Sequence, residues 1–259
     1  MTDPKVLTDL DGGVFTITLA DDANRNALST RLVSEFLAAI DRADADDAVR
    51  VIVVTNTGRV FCAGADLSER SSDDAPDSAA LKDPGNIFSR VRQSPKPFVG
   101  RIAGHAVAGG MGLAAAMDIS VGLVDAKFGF TEVRIGVAPA MISVICLPKM
   151  RQADAAEAFL RGNRFPGSEA ARLGLINHAV TPEDLDPTID DIVHDLLEGA
   201  PAGLAAAKTL IQTVPTLGFD DAMRWTAKLS AEMFQGADAQ EGMKAYLEKR
   251  PPTWSPRAG

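Results

Sequence analysis

The stretch G-H-A-V-A-G-G-M-G-L-A-A-A-M-D, from Gly104 to Asp118, decides how the chain reads. It follows the apolar run Pro97 to Ala103 and passes through Gly109-Gly110 into small residues of helical composition. The order is strand, glycine turn, helix start. Such a turn leaves backbone N–H groups unpaired and aimed outward, and the positive end of the helix dipole reinforces them. Glycine suits the position because a bare backbone lets a ligand approach closely. A glycine pair before a helix serves packing as readily as it serves a phosphate or an oxyanion, so this stretch alone leaves function open.

Outward from it, Val14 to Leu19 alternates as a half-buried strand does, and Asn24-Arg25-Asn26 makes a polar break. Ser29 is placed to cap a helix in which Leu32, Val33, Phe36, Leu37 and Ile40 recur at three- and four-residue spacing, ending in the acidic run Asp41 to Asp47. Val49 to Thr55 reads as a buried strand, and Phe98 to Ala103 and Ile119 to Val124 continue the alternation of strand with helix. The fold class that follows is α/β. Between them Ser68 to Gly85, rich in Ser, Asp, Ala and Pro, has no apolar period and reads as a loop, either solvated surface or a lid.

Beyond Asn177 to Val180 the pattern is helical only, over Leu185 to Leu197, Pro201 to Val214, Phe219 to Phe234 and Asp238 to Lys249. These segments carry Trp225, Met233, Phe234, Met243 and Tyr246, more than a short helical tail can bury alone. Packing on the core or on another subunit is expected. The expected division is a core over 1–183 and a helical region over 184–259.

Composition narrows the function. A chain of 259 residues can bury a sizeable core, and its formal charge of −9, with no dense Lys/Arg cluster, argues against a nucleic-acid surface. No run approaches the roughly 18 apolar residues of a membrane span, and Met1 to Lys5 has no signal-peptide character, so a cytoplasmic protein with no membrane partner is expected. Cys62 and Cys146 lie far apart without metal-ligand spacing; buried, inert thiols are expected, with no metal and no redox cofactor.

A second stretch changes the weight of the first. Val51 to Val54 leads through Gly58-Arg59 to Phe61-Cys62-Ala63-Gly64-Ala65-Asp66, again small residues after a strand. Two such turns facing each other bring two N–H groups to one oxygen and stabilise charge that grows there during reaction. F-C-A-G-A-D-L at Phe61 to Leu67, A-G-H-A-V-A-G-G-M-G-L at Ala103 to Leu113 and F-G-F-T-E-V-R-I-G-V-A-P at Phe128 to Pro139 together resemble the crotonase (enoyl-CoA hydratase/isomerase) superfamily. The likeness extends to R-N-A-L at Arg25 to Leu28, to Arg161 to Asn177 and to Glu241 to Arg250.

That resemblance implies a crotonase-like spiral of ββα turns, a C-terminal helical region that builds homotrimers or hexamers of paired trimers, and an acyl-CoA thioester as substrate with no separate cofactor. It implies Ala65 and Gly109 as the two oxyanion donors and Glu132 as the acid/base. Coenzyme A contacts are implied for Arg25, Ala27, Ala63, Asp66, Leu67 and Gly110, for Arg70 in place of a lysine common where this chain has Ser68, and for Lys249 toward a neighbouring subunit's ligand. Asp66 reads equally as a helix cap. His105 reads as a hydrogen-bonded structural group rather than a base, and His178 and His194 have no visible partners.

One departure bears on mechanism. The first of the family's two usual glutamates would fall on Gly112, which has no side chain, so Glu132 is left to act alone. Two carboxylates divide the labour of hydration, whereas one suffices to move a double bond. Hydration of a 2-enoyl-CoA is the first expectation, Δ3-Δ2 isomerisation the rival, and a catalytically silent acyl-CoA binder the third reading.

Overall fold

The computed structural model describes residues 3–70 and 85–258. The chain opens with the hairpin β1 (Val6–Asp11) and β2 (Val14–Leu19), then α1 (Thr30–Ala45), β3 (Val51–Asn56), β4 (Val60–Cys62), α2 (Leu67–Arg70) and α3 (Gly85–Gln93). β5 (Phe98–Ile102), β6 (His105–Val107) and α4 (Gly109–Ala116) follow, then β7 (Ile119–Leu123), β8 (Lys127–Gly129), α5 (Ala140–Cys146), α6 (Gln152–Arg161), β9 (Arg164–Pro166), α7 (Gly167–Arg172) and β10 (His178–Val180). The last elements are α8 (Pro182–Glu198), α9 (Pro201–Thr213), α10 (Phe219–Gln235) and α11 (Ala237–Glu248).

Local chemistry accounts for the start of this order. Gly12 and Gly13, at φ 53° and 86°, close the β1–β2 hairpin, the backbone region a two-residue hairpin turn requires. Ser29 caps α1 by accepting the Leu32 N–H at 3.3 Å. Leu32, Phe36, Ala39, Ile40 and Ala43 then form the buried stripe of that helix. β3 is buried at all six positions, as a central strand covered on both faces must be, whereas β2 alternates.

Two sheets share the strands in a regular way. The larger has the order β1-β2-β3-β5-β7-β10 and the smaller β4-β6-β8-β9. Each ββα unit therefore gives its first strand (β3, β5, β7) to the large sheet and its second (β4, β6, β8) to the small one. Pairing along β3-β5-β7 and β4-β6-β8 is parallel, so the segments leaving β4, β6 and β8 emerge side by side at one end of the small sheet. That convergence builds the site described below. The core beneath contains fully buried Phe36, Phe61, Phe98, Phe128 and Phe130.

The chain divides into two compact units, Met1–Ser94 with Phe98–Asp190, and Pro95–Pro97 with Asp191–Gly259, the division falling inside α8. Within the second unit Trp254 donates to the Glu198 carbonyl at 3.1 Å, and Arg250 holds Glu241 at 2.7 Å. Phe219, Phe234, Tyr246 and Leu247 of this unit are exposed. No described helix is long and apolar enough to cross a membrane.

The segment from Ser68 to Gly85 differs in part from the loop expected of it. Its first residues complete α2 and Gly85 opens α3, while 71–84 lie outside the described residues. Gly109 and Gly110 also differ from expectation, since they are the first residues of α4 rather than the turn before it. Met111 and Gly112 N–H both donate to the Ala108 carbonyl, at 2.9 and 3.3 Å, which closes the first helical turn one residue early.

Candidate active site

Two short segments face each other. Beyond β4, Gly64 adopts φ 89°, and a Cβ placed on it would lie 2.9 Å from both Gly109 N and Ala108 Cβ. Only glycine permits that approach. A Cβ on Gly109 would in turn meet Gly64 Cα and Leu28 Cδ1 at 3.3 Å and Ala65 N at 3.6 Å. The Ala65 and Gly109 amides thus sit on touching stretches of backbone, and neither donates to any group among the described residues.

The surroundings hold these segments firmly. Leu28 N–H donates to the Gly64 carbonyl at 2.7 Å and Ala63 N–H to the Arg25 carbonyl at 3.2 Å. Asn26, fully buried, donates its amide to the Val60 carbonyl at 2.8 Å and accepts Asp21 N–H at 2.7 Å, tying the Asp21–Asn26 turn to β4. Arg25 and Asn26 themselves lie at φ 53° and 50°, the left-handed region that asparagine tolerates better than arginine. On the other side Ala108 stands at φ 51°, ψ −129°, outside the comfortable range of any residue with a Cβ. Its N–H reaches the Gly129 carbonyl at 2.9 Å, which fixes the peptide just before Gly109.

Glu132 leaves the third strand of the set. After Gly129, whose partner in β6 is Val107, the buried Phe130 leads into a 3-10 turn over Glu132–Ile135. Phe130 is anchored by Phe159 at a ring-centroid distance of 4.1 Å. Glu132 is half-buried, and its Oε2 is shut away from solvent with no hydrogen-bond partner among the described residues. Desolvation holds its carboxyl above the ordinary carboxylate range, opposed in part by its own backbone N–H.

The position of the absent first glutamate is closed off as well. A Cβ on Gly112 would lie 2.2 Å from Ile142 Cγ2, 2.7 Å from Ile142 Cβ and 3.4 Å from Phe88 Cζ. Ile142, on α5, and Phe88, on α3, are both buried. The space beside Gly112 is therefore filled with hydrocarbon. Cys146, one turn further along α5, is buried within electrostatic reach of Glu132, its thiol pushed up to about 12 chiefly by burial.

The remaining implied residues divide by location. Arg25, Ala27, Ala63 and Asp66 cluster at the exit of β4: Asp66 accepts from Asn24 Nδ2 at 2.7 Å and from Ser68 N–H at 2.9 Å, so it also caps α2. These bonds, Ser68's hydroxyl foremost, hold the Asp66 carboxyl below its usual range. Leu67 is exposed, whereas Gly110 is buried so tightly that a Cβ would lie 2.0 Å from the Cys62 carbonyl oxygen. Arg70 closes α2 with its side chain outside the described residues, and Lys249 ends α11 in the helical unit. His105 accepts Lys127 N–H on Nδ1 at 3.0 Å, the structural role expected of it. Asn26, Ala108, Ile142 and Phe88 were not singled out by sequence reasoning. A polar residue in the Asn24–Asn26 break was a usable signal for the first, and none existed for the other three.

Known proteins resemble this chain along nearly its whole length. The family model described as enoyl-CoA hydratase/isomerase matches residues 9–257, and the chain belongs to that family of enzymes. A Thermus thermophilus protein described provisionally as an enoyl-CoA hydratase is 36% identical over 248 residues, 93% of this chain and 97% of that protein. Carnitinyl-CoA dehydratase of Escherichia coli K12 is 30% identical over 255 residues, covering 95% of this chain and 97% of the relative. Among solved structures, enoyl-CoA hydratase of Mycobacterium smegmatis superposes with a TM-score of 0.90 at 28% identity, over 97% of this chain and 99% of that one. The fold is accordingly that of the crotonases, mixed α/β with ββα units and C-terminal helices.

Proposed function

We propose that the protein adds water to a 2-enoyl-CoA thioester, with Glu132 as its sole acid/base. The observation that carries this reading is the Oε2 of Glu132, buried and unpartnered among the described residues, on the turn that leaves β8 beside the segments bearing two unpaired amides. The thioester oxygen lies between Ala65 N–H and Gly109 N–H. Glu132, ionised, takes a proton from water as the oxygen attacks Cβ, and the electron pair of the double bond moves through Cα onto the thioester oxygen. The two amides hold that charge, and each such donor is typically worth about 10²- to 10³-fold in rate. Glu132, now protonated, returns the proton to Cα, so a complete water molecule has been added by one carboxylate. Arg25, Arg70 and Lys249 meet the coenzyme's phosphates, while Ala27, Ala63, Asp66, Leu67 and Gly110 line its path. Subunits associate as trimers or as hexamers of paired trimers, a reading supported by the exposed aromatic residues of the helical unit.

One observation favours a second reading. Among the described residues, Ile142 and Phe88 are the side chains nearest to Gly112, and neither is a polar group that could share in handling water. A lone Glu132 would serve a Δ3-Δ2 isomerase by taking a proton from C2 of a 3-enoyl thioester and returning it at C4. The deciding experiment incubates the protein with crotonyl-CoA and separately with a 3-enoyl-CoA, following the conjugated thioester absorbance, with folded Glu132→Gln as control. Loss of signal from crotonyl-CoA, abolished in the variant, establishes hydration. A gain from the 3-enoyl compound without hydration establishes the isomerase, and binding with silence in both leaves an acyl-CoA binder.

A further inference from the structure

The small sheet has a second end. The loops of the candidate site leave the carboxyl ends of β4, β6 and β8; the amino ends of the same strands carry Arg59, His105 and Lys127. There the chain encloses an open depression of about 320 Å³, lined among others by Arg59, Gly104, His105, Leu123, Val124 and Ala126. It lies just beyond the last residues of β5 and β7, at the carboxyl edge of the large parallel sheet, where open α/β sheets characteristically receive ligands.

Its charged surroundings are mostly positive: Arg59 lines it and Lys127 and Arg164 stand within electrostatic reach of His105, set against Asp125 in the lining and the Asp22 carboxylate beside Gly58. His105 N–H donates to the Arg59 carbonyl at 3.1 Å, and Lys127 N–H donates to His105 Nδ1 at 3.0 Å. With Nδ1 an acceptor, the neutral imidazole carries its proton on Nε2, a donor with no partner among the described residues. Burial and the nearby Arg164, Arg59 and Lys127 all favour that neutral form. Elsewhere the chain spends its arginines against carboxylates, as with Arg90, Arg101, Arg172 and Arg250. Arg59, Lys127 and Arg164 have no carboxylate partner among the described residues, and Asp125 is the one acidic residue of the lining. On a chain of net charge −9, Arg59 in the lining, with Lys127 and Arg164 further off but still acting on His105, gives a local positive bias beside small and aliphatic lining residues.

We propose that this depression is a second binding site, separate from the thioester site, for a small molecule bearing a phosphate or carboxylate group on a compact apolar body. The anionic group pairs with Arg59 and accepts from His105 Nε2, with Lys127 and Arg164 adding attraction, while the body rests against Leu123, Val124 and Ala126.

Phenyl phosphate and benzoate are suitable probes, titrated calorimetrically into the full-length protein. Saturable binding of at least one probe, one per chain, is expected, and comparison of the two shows which anionic group the site takes. Arg59→Glu, an exposed substitution that leaves thioester turnover unchanged, should weaken that binding by about tenfold or more, the usual scale for reversing one charged hydrogen bond. Arg25→Ala, on the thioester side, should leave it unaltered. The proposal is overturned if neither probe saturates, if Arg59→Glu binds as the parent does, or if binding disappears in Arg25→Ala or under excess coenzyme A.

Discussion

Adding a single methyl group at Gly112 tests the packing that leaves Glu132 alone. In Gly112→Ala the new Cβ would stand 2.2 Å from Ile142 Cγ2, whereas unstrained carbons stand about 3.5–4.0 Å apart, so the buried Ile142 must retreat by more than about 1 Å. Overpacking of this kind costs about 1–3 kcal/mol, offset by about 1 kcal/mol because alanine is the better residue inside α4. A net loss of up to about 2 kcal/mol, or up to about 8 °C in Tm, is expected by calorimetry. The same change made in two further backgrounds gives the argument its sharpness. Ile142→Ala removes Cγ2 but keeps the Cβ at 2.7 Å, so the penalty should shrink. Ile142→Gly removes both atoms and leaves Phe88 Cζ at 3.4 Å as the nearest neighbour, so there Gly112→Ala should stabilise by up to about 1 kcal/mol. An identical penalty in all three backgrounds would refute the claim that Ile142 is what closes this position.

Other expectations follow from the same geometry. Because desolvation raises the Glu132 pKa above 4.5, the base form is lost at higher pH than for an ordinary glutamate, and the acid limb of the pH–rate profile should lie correspondingly high. In stability the sign is opposite: the raised pKa favours folding below about 4.5 and this is lost as pH rises through the folded-state value, so Glu132→Gln should raise Tm near neutrality and the gain should fade in acid. Ala108→Gly relieves a backbone conformation that costs a side-chain-bearing residue about 1–3 kcal/mol, less about 1 kcal/mol for glycine's greater freedom in the unfolded chain, and should raise Tm by up to about 8 °C, measured by thermal unfolding. Gly64→Ala meets both φ 89° and the Gly109 amide at 2.9 Å; it should depress kcat by about tenfold or more, since the two donors can no longer hold one oxygen, while a preserved circular dichroism spectrum shows that the fold survives.

The parts of this molecule legible in the sequence are those built from local rules. The Ser29 cap, the α1 stripe from Leu32 to Ile40 and the strand Val14–Leu19 depend on spacing within one element, and each appears where the spacing puts it. The helices of the C-terminal region follow for the same reason. What the spacing cannot express is how the second strand of each ββα unit leaves the first for another sheet, because β4, β6 and β8 are only three residues long and have almost no pattern of their own. The site suffers likewise. Gly112 could be read as a missing carboxylate, but that Ile142, thirty positions away, fills its place is a fact of tertiary packing alone. Ala108 gave no warning either, since nothing in A-V-A-G-G marks the alanine, rather than a glycine, as the residue in the strained conformation.

The two cysteines give a way to time the opening of this structure. Both thiols are free and buried, and burial pushes each up to about 12, so at neutral pH neither presents an appreciable thiolate to a reagent in solution. Cys62 lies under the start of α4, where the Gly110 backbone presses on its carbonyl; Cys146 lies on α5, beyond Ile142. A thiol-directed reagent therefore reacts only as fast as the chain uncovers them, and two separately resolved labelling rates record whether α5 swings away by itself or departs only when the whole core comes apart.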